Sequence, residues 1–237
     1  MKKIILAAAL CATVISCKQE KTMTYKYADK PQTVTCDNVD AKLYSEAYYA
    51  FENAIVMQAK NTNRRPNFNI TPEYALRNFL RRSAGIIKIT DYATQEAFEI
   101  FHKLKDQAIW DGPQLKSNAA ITECIGNSIE NNTTKTSFNT LRSVESLDPK
   151  LMAAAINDNR GARNQFSDKA LMTYVALDLY YAKFFNTDFS QTEFLVEKEA
   201  PAAIVPQAKP SQPVIGKKLD LDVKKREEHN AHDGHNH

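Results

Sequence analysis

The chain has 237 residues and a formal net charge of +3 at pH 7, from 31 Lys or Arg and 28 Asp or Glu. Two of the lysines lie in residues 1–16, which hold no acid, so the rest of the chain is nearly neutral. Bulk charge therefore gives no case for nucleic acid as a partner. The sequence contains no nucleophile elbow, no H-E-x-x-H helix and no dinucleotide-binding motif. These absences favour a protein that is not an enzyme.

The first seventeen residues, MKKIILAAALCATVISC, have the order of an export signal. Two lysines precede an apolar run over residues 4–15. This run is shorter than the roughly 20 residues that cross a bilayer as a helix, and it has the proportions of a secretory signal. It ends in VISC at positions 14–17, which resembles the lipobox of bacterial lipoproteins. An ordinary signal peptide with an incidental cysteine is the alternative.

The resemblance implies that residues 1–16 are a signal peptide and that Cys17 is the lipidated first residue of the mature protein. Several acyl chains hold a protein at a bilayer far better than one. We therefore expect a cell-envelope protein that is anchored to a membrane without spanning it. Lys18, rather than Asp, follows the cysteine, and by the same resemblance this favours the outer membrane over the inner membrane.

Two cysteines remain as thiols, because Cys11 would leave with the signal peptide and Cys17 would carry lipid. In an oxidising compartment, Cys36 and Cys124 most simply form one disulfide. Two separately buried thiols are the alternative. A catalytic cysteine would need a nearby base, and the folded part of the sequence offers a single histidine, His102.

The sequence divides into four segments, which are a signal peptide (1–16), a lipidated tether (17–36), a helical domain (37–189) and a C-terminal arm (190–237). The tether is polar and lacks an apolar stripe, so we expect it to be flexible. Four prolines and few large apolar side chains lie in residues 200–216. We therefore expect the arm to be disordered.

Helical periodicity in residues 37–189 predicts an all-α fold, a single compact domain of six or seven helices. The first predicted helix has its apolar face over residues 43–57, and helical spacing over 115–130 predicts the fourth. The other four are predicted to begin at Thr71–Pro72, near residue 90, at Asp148–Pro149 and at Ser167–Asp168. The third is expected to stop near residue 111. The last is apolar on nearly every side, so it should lie centrally. No stretch alternates like a half-buried strand, and no hairpin is predicted.

Two features of the domain are candidates for chemistry. Glu99-x-x-His102 matches one ligand pair of carboxylate di-iron bundles, and Glu96 lies on the same helix face, but such a site needs two pairs. A solvated helix edge is therefore expected.

Asp178 interrupts the apolar last helix, where a buried carboxylate must be paired, hydrogen-bonded or protonated. We expect a structural partner for it, and a functional acid is the alternative.

A basic cluster spans the second predicted helix and its flanks, and its members are Arg64, Arg65, Arg77, Arg81, Arg82 and Lys88. Arg77 and Arg81 are four residues apart and share a helix face. With Arg82 they form a candidate surface for an envelope protein or a polyanion, such as a surface polysaccharide or anionic lipid headgroups. A solvated face with compensating acids is the alternative.

The chain ends in HNAHDGHNH, whose histidines are His229, His232, His235 and His237. Imidazole suits Zn, Cu and Ni, and a flexible backbone can gather three or four such ligands around one ion. Ordering that backbone opposes binding by about 1–2 kcal/mol per residue. We therefore predict modest binding that weakens below about pH 6.5, as the imidazoles protonate. The sequence indicates no required cofactor.

The sequence thus favours a lipid-anchored envelope protein of non-enzymatic interaction or structural type. The alternative is buffering or delivery of divalent metal through the histidine-rich tail. An enzyme with an unrecognised site is a third hypothesis. The biochemical activity of residues 37–189 stays open at this point.

Overall fold

The structure, a computed structural model, describes residues 23–65, 68–83, 87–158 and 166–197. These residues form seven helices, which are α1 (Ala41–Thr62), α2 (Pro72–Ser83), α3 (Gln95–Leu104), α4 (Ala120–Ser128), α5 (Asn132–Ser143), α6 (Pro149–Asp158) and α7. Helix α7 is continuous and has three parts, an α-helical start (Lys169–Val175), a π-helical stretch (Ala176–Tyr181) and an α-helical end (Ala182–Phe184). The predicted all-α, single-domain fold is confirmed.

Helix α7 lies at the centre of the domain. Every residue from 170 to 182 is buried, as its apolar character on all sides predicted. The Tyr180 ring lies 5.2 Å from the ring of Phe51 in α1 and 6.3 Å from the ring of Phe79 in α2, measured between centroids. Helices α1 and α4 both pack directly on α7, so the core forms around this one helix.

Side-chain caps set where three of the helices begin. Thr71, Asp148 and Asp168 each accept a hydrogen bond from the backbone amide three residues later, at 3.2, 3.1 and 3.0 Å. These bonds satisfy amides that have no partner inside a helix. The predicted starts of α2, α6 and α7 are confirmed.

Helix α3 is shorter than predicted, and a hairpin follows it. A 3₁₀ turn (Ile89–Tyr92) occupies the predicted start, and α3 ends at Leu104, whose carbonyl accepts a 2.7 Å bond from Trp110 Nε1. Two short strands, β1 (Trp110–Asp111) and β2 (Gln114–Leu115), then pair antiparallel around Gly112, which has φ +55°. The expectation of no hairpin was wrong, because the Asp-Gly-Pro stretch at residues 111–113, near which α3 was expected to stop, forms the turn between two strands.

Helix α5 was not predicted from the sequence. Phe138 is its one buried residue, so it has no apolar stripe for a periodicity argument to find. Asn131 caps its first turn, and Asn139 Nδ2 donates to the Gly126 carbonyl of α4 at 3.1 Å. Polar bonds to α4 and one phenylalanine therefore hold this helix in place.

Residues 23–36, which we call the N-terminal strap, differ from the flexible tether predicted for residues 17–36. Thr33 and Val34 are buried against the domain. The backbone amides of Lys26 and Tyr27 donate to the two carboxylate oxygens of Glu46 at 2.6 and 3.0 Å. The strap is thus part of the folded domain, and the rest of the predicted tether lies outside the described residues.

A disulfide closes the end of the strap. It joins Cys36 to Cys124 of α4, across 88 residues of sequence, with 6.0 Å between the Cα atoms. Cys124 is buried, and Cys36 packs against the core. The bond therefore fixes the strap to a helix that itself contacts α7.

The domain also extends beyond the predicted boundary at residue 189. The Leu195 amide donates to the Ala93 carbonyl at 2.8 Å, and the Phe194 ring lies 5.3 Å from that of Phe98. Residues 194 and 195 therefore contact the domain, one through its aromatic ring and the other through its backbone amide. The remainder of the predicted disordered arm lies outside the described residues.

We expect the double variant Cys36→Ser/Cys124→Ser to have a free energy of unfolding lower by roughly 2–5 kcal/mol, because its unfolded chain is no longer cross-linked. Urea denaturation followed by circular dichroism measures this change. Adding a reductant should lower the stability of the native chain similarly and leave the double variant unchanged. Equal urea midpoints for the two chains would contradict the prediction.

Candidate functional site

The structure brings Glu96, Glu99 and His102 to one cleft of about 500 Å³ between the strap and α3. Lys26 of the strap and Lys103 of α3 also line it. Positive and negative side chains are therefore mixed in this cleft. The sequence placed the first three residues on one helix face, but it gave no sign that the strap would cover that face.

Glu96, Glu99 and His102 each contact a neighbouring side chain in this cleft. Glu96 Oε2 accepts bonds from Lys26 Nζ at 3.1 Å and from the Tyr27 hydroxyl at 3.4 Å, while its Oε1 is buried without a partner. Glu99 is bonded to another side chain of α3, and the ring of His102 packs edge-on against a phenylalanine. Within the described ranges, no three His, Cys, Asp or Glu side chains are grouped to hold a metal ion.

Asp178 lies in the π-helical stretch of α7 and is only 7% exposed. The Tyr174 hydroxyl donates to its Oδ2 at 2.6 Å, and the Leu115 amide of β2 donates to its Oδ1 at 3.3 Å. Burial raises the pKa of Asp178, and these two hydrogen bonds offset only part of that effect. The carboxyl group therefore ties the hairpin to the central helix, which is the structural partner expected from the sequence.

Asp178 also lines a polar cleft of about 330 Å³, together with Asp111 and Glu145. Glu145 has φ +52°, in the region that favours glycine. Its amide donates to the Arg142 carbonyl, and the Ser146 amide donates to the Leu141 carbonyl, at 3.0 and 2.9 Å. This pattern is a Schellman ending of α5. The unusual backbone at Glu145 is therefore explained by how the helix stops.

The three arginines predicted to form one surface face different surroundings. Arg77 Nη2 donates to Glu73 Oε1 at 2.9 Å, and its guanidinium lies 4.6 Å from the centre of the Phe166 ring. Arg81 is exposed on the same helix. Arg82 instead lines a second cleft with Arg64 and Arg65. The sequence found all of these residues but grouped them by helical spacing, whereas the structure groups them by the packing of α2 on α1.

We call this second cleft, of about 330 Å³, the arginine cleft. It lies between the last turns of α1, the residues that follow it and one face of α2. Arg82 Nη1 lies 3.5 Å from the Tyr92 hydroxyl, across the floor of the cleft. Its other polar lining residues are Gln58, Thr62, Asn63, Asn78 and Tyr74. None of the described residues that line it carries a carboxylate.

Several predicted sites lie outside the described residues. These are the lipidation site Cys17 and the metal-binding candidates His229, His232, His235 and His237. Within the part of the chain that the structure describes, no helix has both the length and the apolar character to cross a bilayer.

Comparison of the chain with models of protein families, with curated proteins and with solved structures found no match. The interpretation of this domain therefore depends on its own residues and their geometry.

We expect Asp178→Asn to gain stability relative to the native chain as the pH rises from about 4 to 7. The unfolded chain releases the proton of Asp178 near its ordinary pKa of 3.8, whereas the folded chain holds it to higher pH. The native chain therefore loses stability over this interval and the variant, which cannot ionise there, does not. Urea denaturation of both chains at pH 4 and pH 7 measures the difference.

Asp111→Asn is the matched control, because Asp111 lines the same cleft but is exposed. Its stability relative to the native chain should change little with pH. A variant Asp178→Asn that becomes less stable than the native chain on going from pH 4 to pH 7 would show that the fold requires the ionised carboxylate.

Proposed function

We propose that the protein is a lipid-anchored protein of the cell envelope whose helical domain has a non-enzymatic interaction or structural role. The observation that carries this proposal is the construction of the strap. Where a flexible linker would let the domain move freely, the strap, which holds the described residues nearest the proposed lipid anchor, is hydrogen-bonded and disulfide-bonded to the core. This arrangement suits a domain that is held close to a membrane.

The short length of chain between Cys17 and the strap also suits a domain that is held close to a membrane. Six residue steps separate Cys17 from Met23, the first described residue. A fully extended chain of that length spans at most about 20 Å. An acylated Cys17 would therefore keep the strap, and the domain to which it is fixed, near the bilayer surface. We propose the outer membrane, by the resemblance of the signal to the lipobox class.

The engagement of the buried carboxylates favours a role without catalysis. Glu46 is 3% exposed, and both of its oxygens accept backbone amides of the strap. Asp178 is similarly occupied by Tyr174 and Leu115. A general acid or base must reach its substrate within hydrogen-bonding distance, and these groups already serve to position other elements.

We expect the native chain, produced in a bacterium that acylates lipoproteins, to sediment with membranes and to incorporate labelled palmitate. A chain whose residues 1–17 are replaced by an ordinary cleavable export signal should appear in the soluble periplasmic fraction without label, because it has no residue to acylate. Cell fractionation and palmitate labelling measure both properties. Equal recovery of the two chains in the membrane fraction would contradict the proposal.

The matched control is Cys36→Ser/Cys124→Ser, which changes two other cysteines and keeps Cys17. It should stay in the membrane fraction with its label. Separation of inner and outer membranes on a sucrose gradient tests the proposed location.

Metal buffering or delivery is a second proposal, supported by the four histidines among the last nine residues. The proposed ligands are His229, His232, His235 and His237, and the ion is Zn, Cu or Ni. We expect the full chain to compete with a weak chromophoric chelator for zinc at pH 7.5 and a chain ending at Glu228 to fail. Competition should disappear at pH 5.5, where imidazole is protonated.

Equal zinc binding by the full and shortened chains would contradict a site on the tail. The role of the histidine-rich tail in cells has a separate test. Cells lacking the protein, and cells carrying the chain that ends at Glu228, are grown with limiting and with excess zinc, copper or nickel. A defect in the first strain that is absent from the second would exclude the tail as its cause.

A further inference from the structure

We propose that the arginine cleft is a binding site for the phosphate group of a phosphorylated molecule. The inference goes beyond the function proposed above, because the cleft belongs to the folded domain whether or not Cys17 carries lipid. Arg64 and Arg65 follow α1, Arg82 comes from α2, and all three line the cleft. The packing of the two helices therefore assembles a site from residues that are distant in sequence.

The cleft carries positive charge that the described residues leave uncompensated. The ion pairs within those residues use Lys26, Lys60, Arg77 and Lys88 as their cations, and none uses an arginine of the cleft. No carboxylate is among the described lining residues. A concave surface lined by charges of one sign concentrates ions of the opposite sign, so the cleft is expected to attract an anion.

Helix capping does not account for these arginines. Cations near a helix C-terminus commonly interact with its last carbonyl groups. Here the Asn63 amide donates to the carbonyls of Ala59 and Lys60 at 3.0 and 3.2 Å, and the Thr62 hydroxyl donates to that of Gln58 at 2.8 Å. These carbonyls are thus bonded without a guanidinium group, which leaves the arginines available to a ligand.

Local bonds also hold the arginine-bearing segment in shape. The Asn63 side chain accepts from the Arg65 amide at 3.1 Å and donates to the Arg65 carbonyl at 3.2 Å, so it closes the turn that carries Arg64 and Arg65. Arg82 lies beside the Tyr92 hydroxyl at 3.5 Å. A site that is ordered before binding loses less entropy when the ligand arrives.

The number and type of cations favour phosphate over a single carboxylate. A guanidinium group presents a planar fork of donors that fits the oxygens of carboxylates and phosphates. A carboxylate has one charge and two oxygens, whereas a phosphate monoester has close to two charges and three terminal oxygens. Three arginines therefore match the phosphate group better. Asn78 and Gln58, which also line the cleft, offer neutral donors and acceptors to the rest of the molecule.

The phosphate monoester has two sources, a soluble phosphate ester or a phospholipid whose headgroup is itself a monoester, namely phosphatidic acid. Tyr74 lines the cleft and packs edge-on against Phe68 at 5.0 Å, and both rings are 39% exposed. Exposed aromatic rings beside basic residues are typical of surfaces that contact lipid headgroups. Both sources are compatible with the site, so the experiment includes one arm for each.

The test uses the mature chain without its lipid, produced as described above with an ordinary export signal. Pyrophosphate, methyl phosphate and acetate are titrated by calorimetry, and vesicles containing phosphatidic acid or only phosphatidylcholine are tested by co-sedimentation. The test variant is Arg64→Gln/Arg65→Gln/Arg82→Gln. The control, Lys42→Gln/Lys105→Gln/Lys150→Gln, removes the same charge from exposed positions outside the cleft. Circular dichroism checks that both variants remain folded.

Binding of the soluble phosphates by the native and control chains, weakened at least roughly tenfold in the test variant by the loss of charge-assisted hydrogen bonds, would support a soluble ligand. Binding to phosphatidic acid vesicles alone, with the same dependence on the three arginines, would support a lipid headgroup. Failure of the native chain to bind any of these probes would overturn the proposal. So would equal losses in the test and control variants, or equal affinity for acetate.

Discussion

The polar side chains that α7 carries into the core constrain the positions of the other elements. A buried hydroxyl or carboxyl group without a partner costs about 1–3 kcal/mol. The partners of these groups come from four parts of the chain, with Thr173 bonded to Thr33, Asp178 to Leu115, Tyr180 to Tyr92 and Tyr181 to Ala47. Each bond links α7 to a different element, namely the strap, β2, the 3₁₀ turn and α1. A shift of any one of them along α7 would break its bond to this central helix.

The same requirement explains why the strap belongs to the domain. Glu46 is a buried carboxylate on a helix that otherwise faces the core, and the strap supplies the two backbone amides that satisfy it. A backbone donor leaves no mark in the sequence, since every residue except proline carries one. Residues 23–36 therefore look like a polar linker when only side chains are read, and their place in the fold depends on a partner twenty residues later.

Local signals were sufficient for most of the helices. Thr71 before Pro72, Asp148 before Pro149 and the apolar run after Asp168 each combine a cap with a hydrophobic pattern, and the structure has a helix at each place. Two of the failures concern contacts that lie outside the segment being read. The Trp110 indole bonds back to the Leu104 carbonyl at the end of α3, and α5 is held by Phe138 and by one bond to α4. Periodicity within one segment does not contain such contacts.

The arginine cleft illustrates the same limit for a site. Helical spacing correctly places Arg77 and Arg81 on one face, but Arg77 is taken up by Glu73 and the ring of Phe166. Arg82 meets Arg64 and Arg65 only because α2 packs against the end of α1. The sequence therefore supplied the residue types, and the helix packing decided which of them share a surface.

Helix α1 connects the two proposals in one rigid element. The strap is bonded to Glu46, near its beginning, and the arginine cleft is lined by Ile55 to Thr62, near its end. At 1.5 Å per residue these points lie about 14–24 Å apart along the helix. Because Cys36 and Cys124 fix the strap to the core, that separation stays constant while the domain is folded. If Cys17 is acylated, the same helix then limits how far the cleft lies from the bilayer surface near which the strap is held.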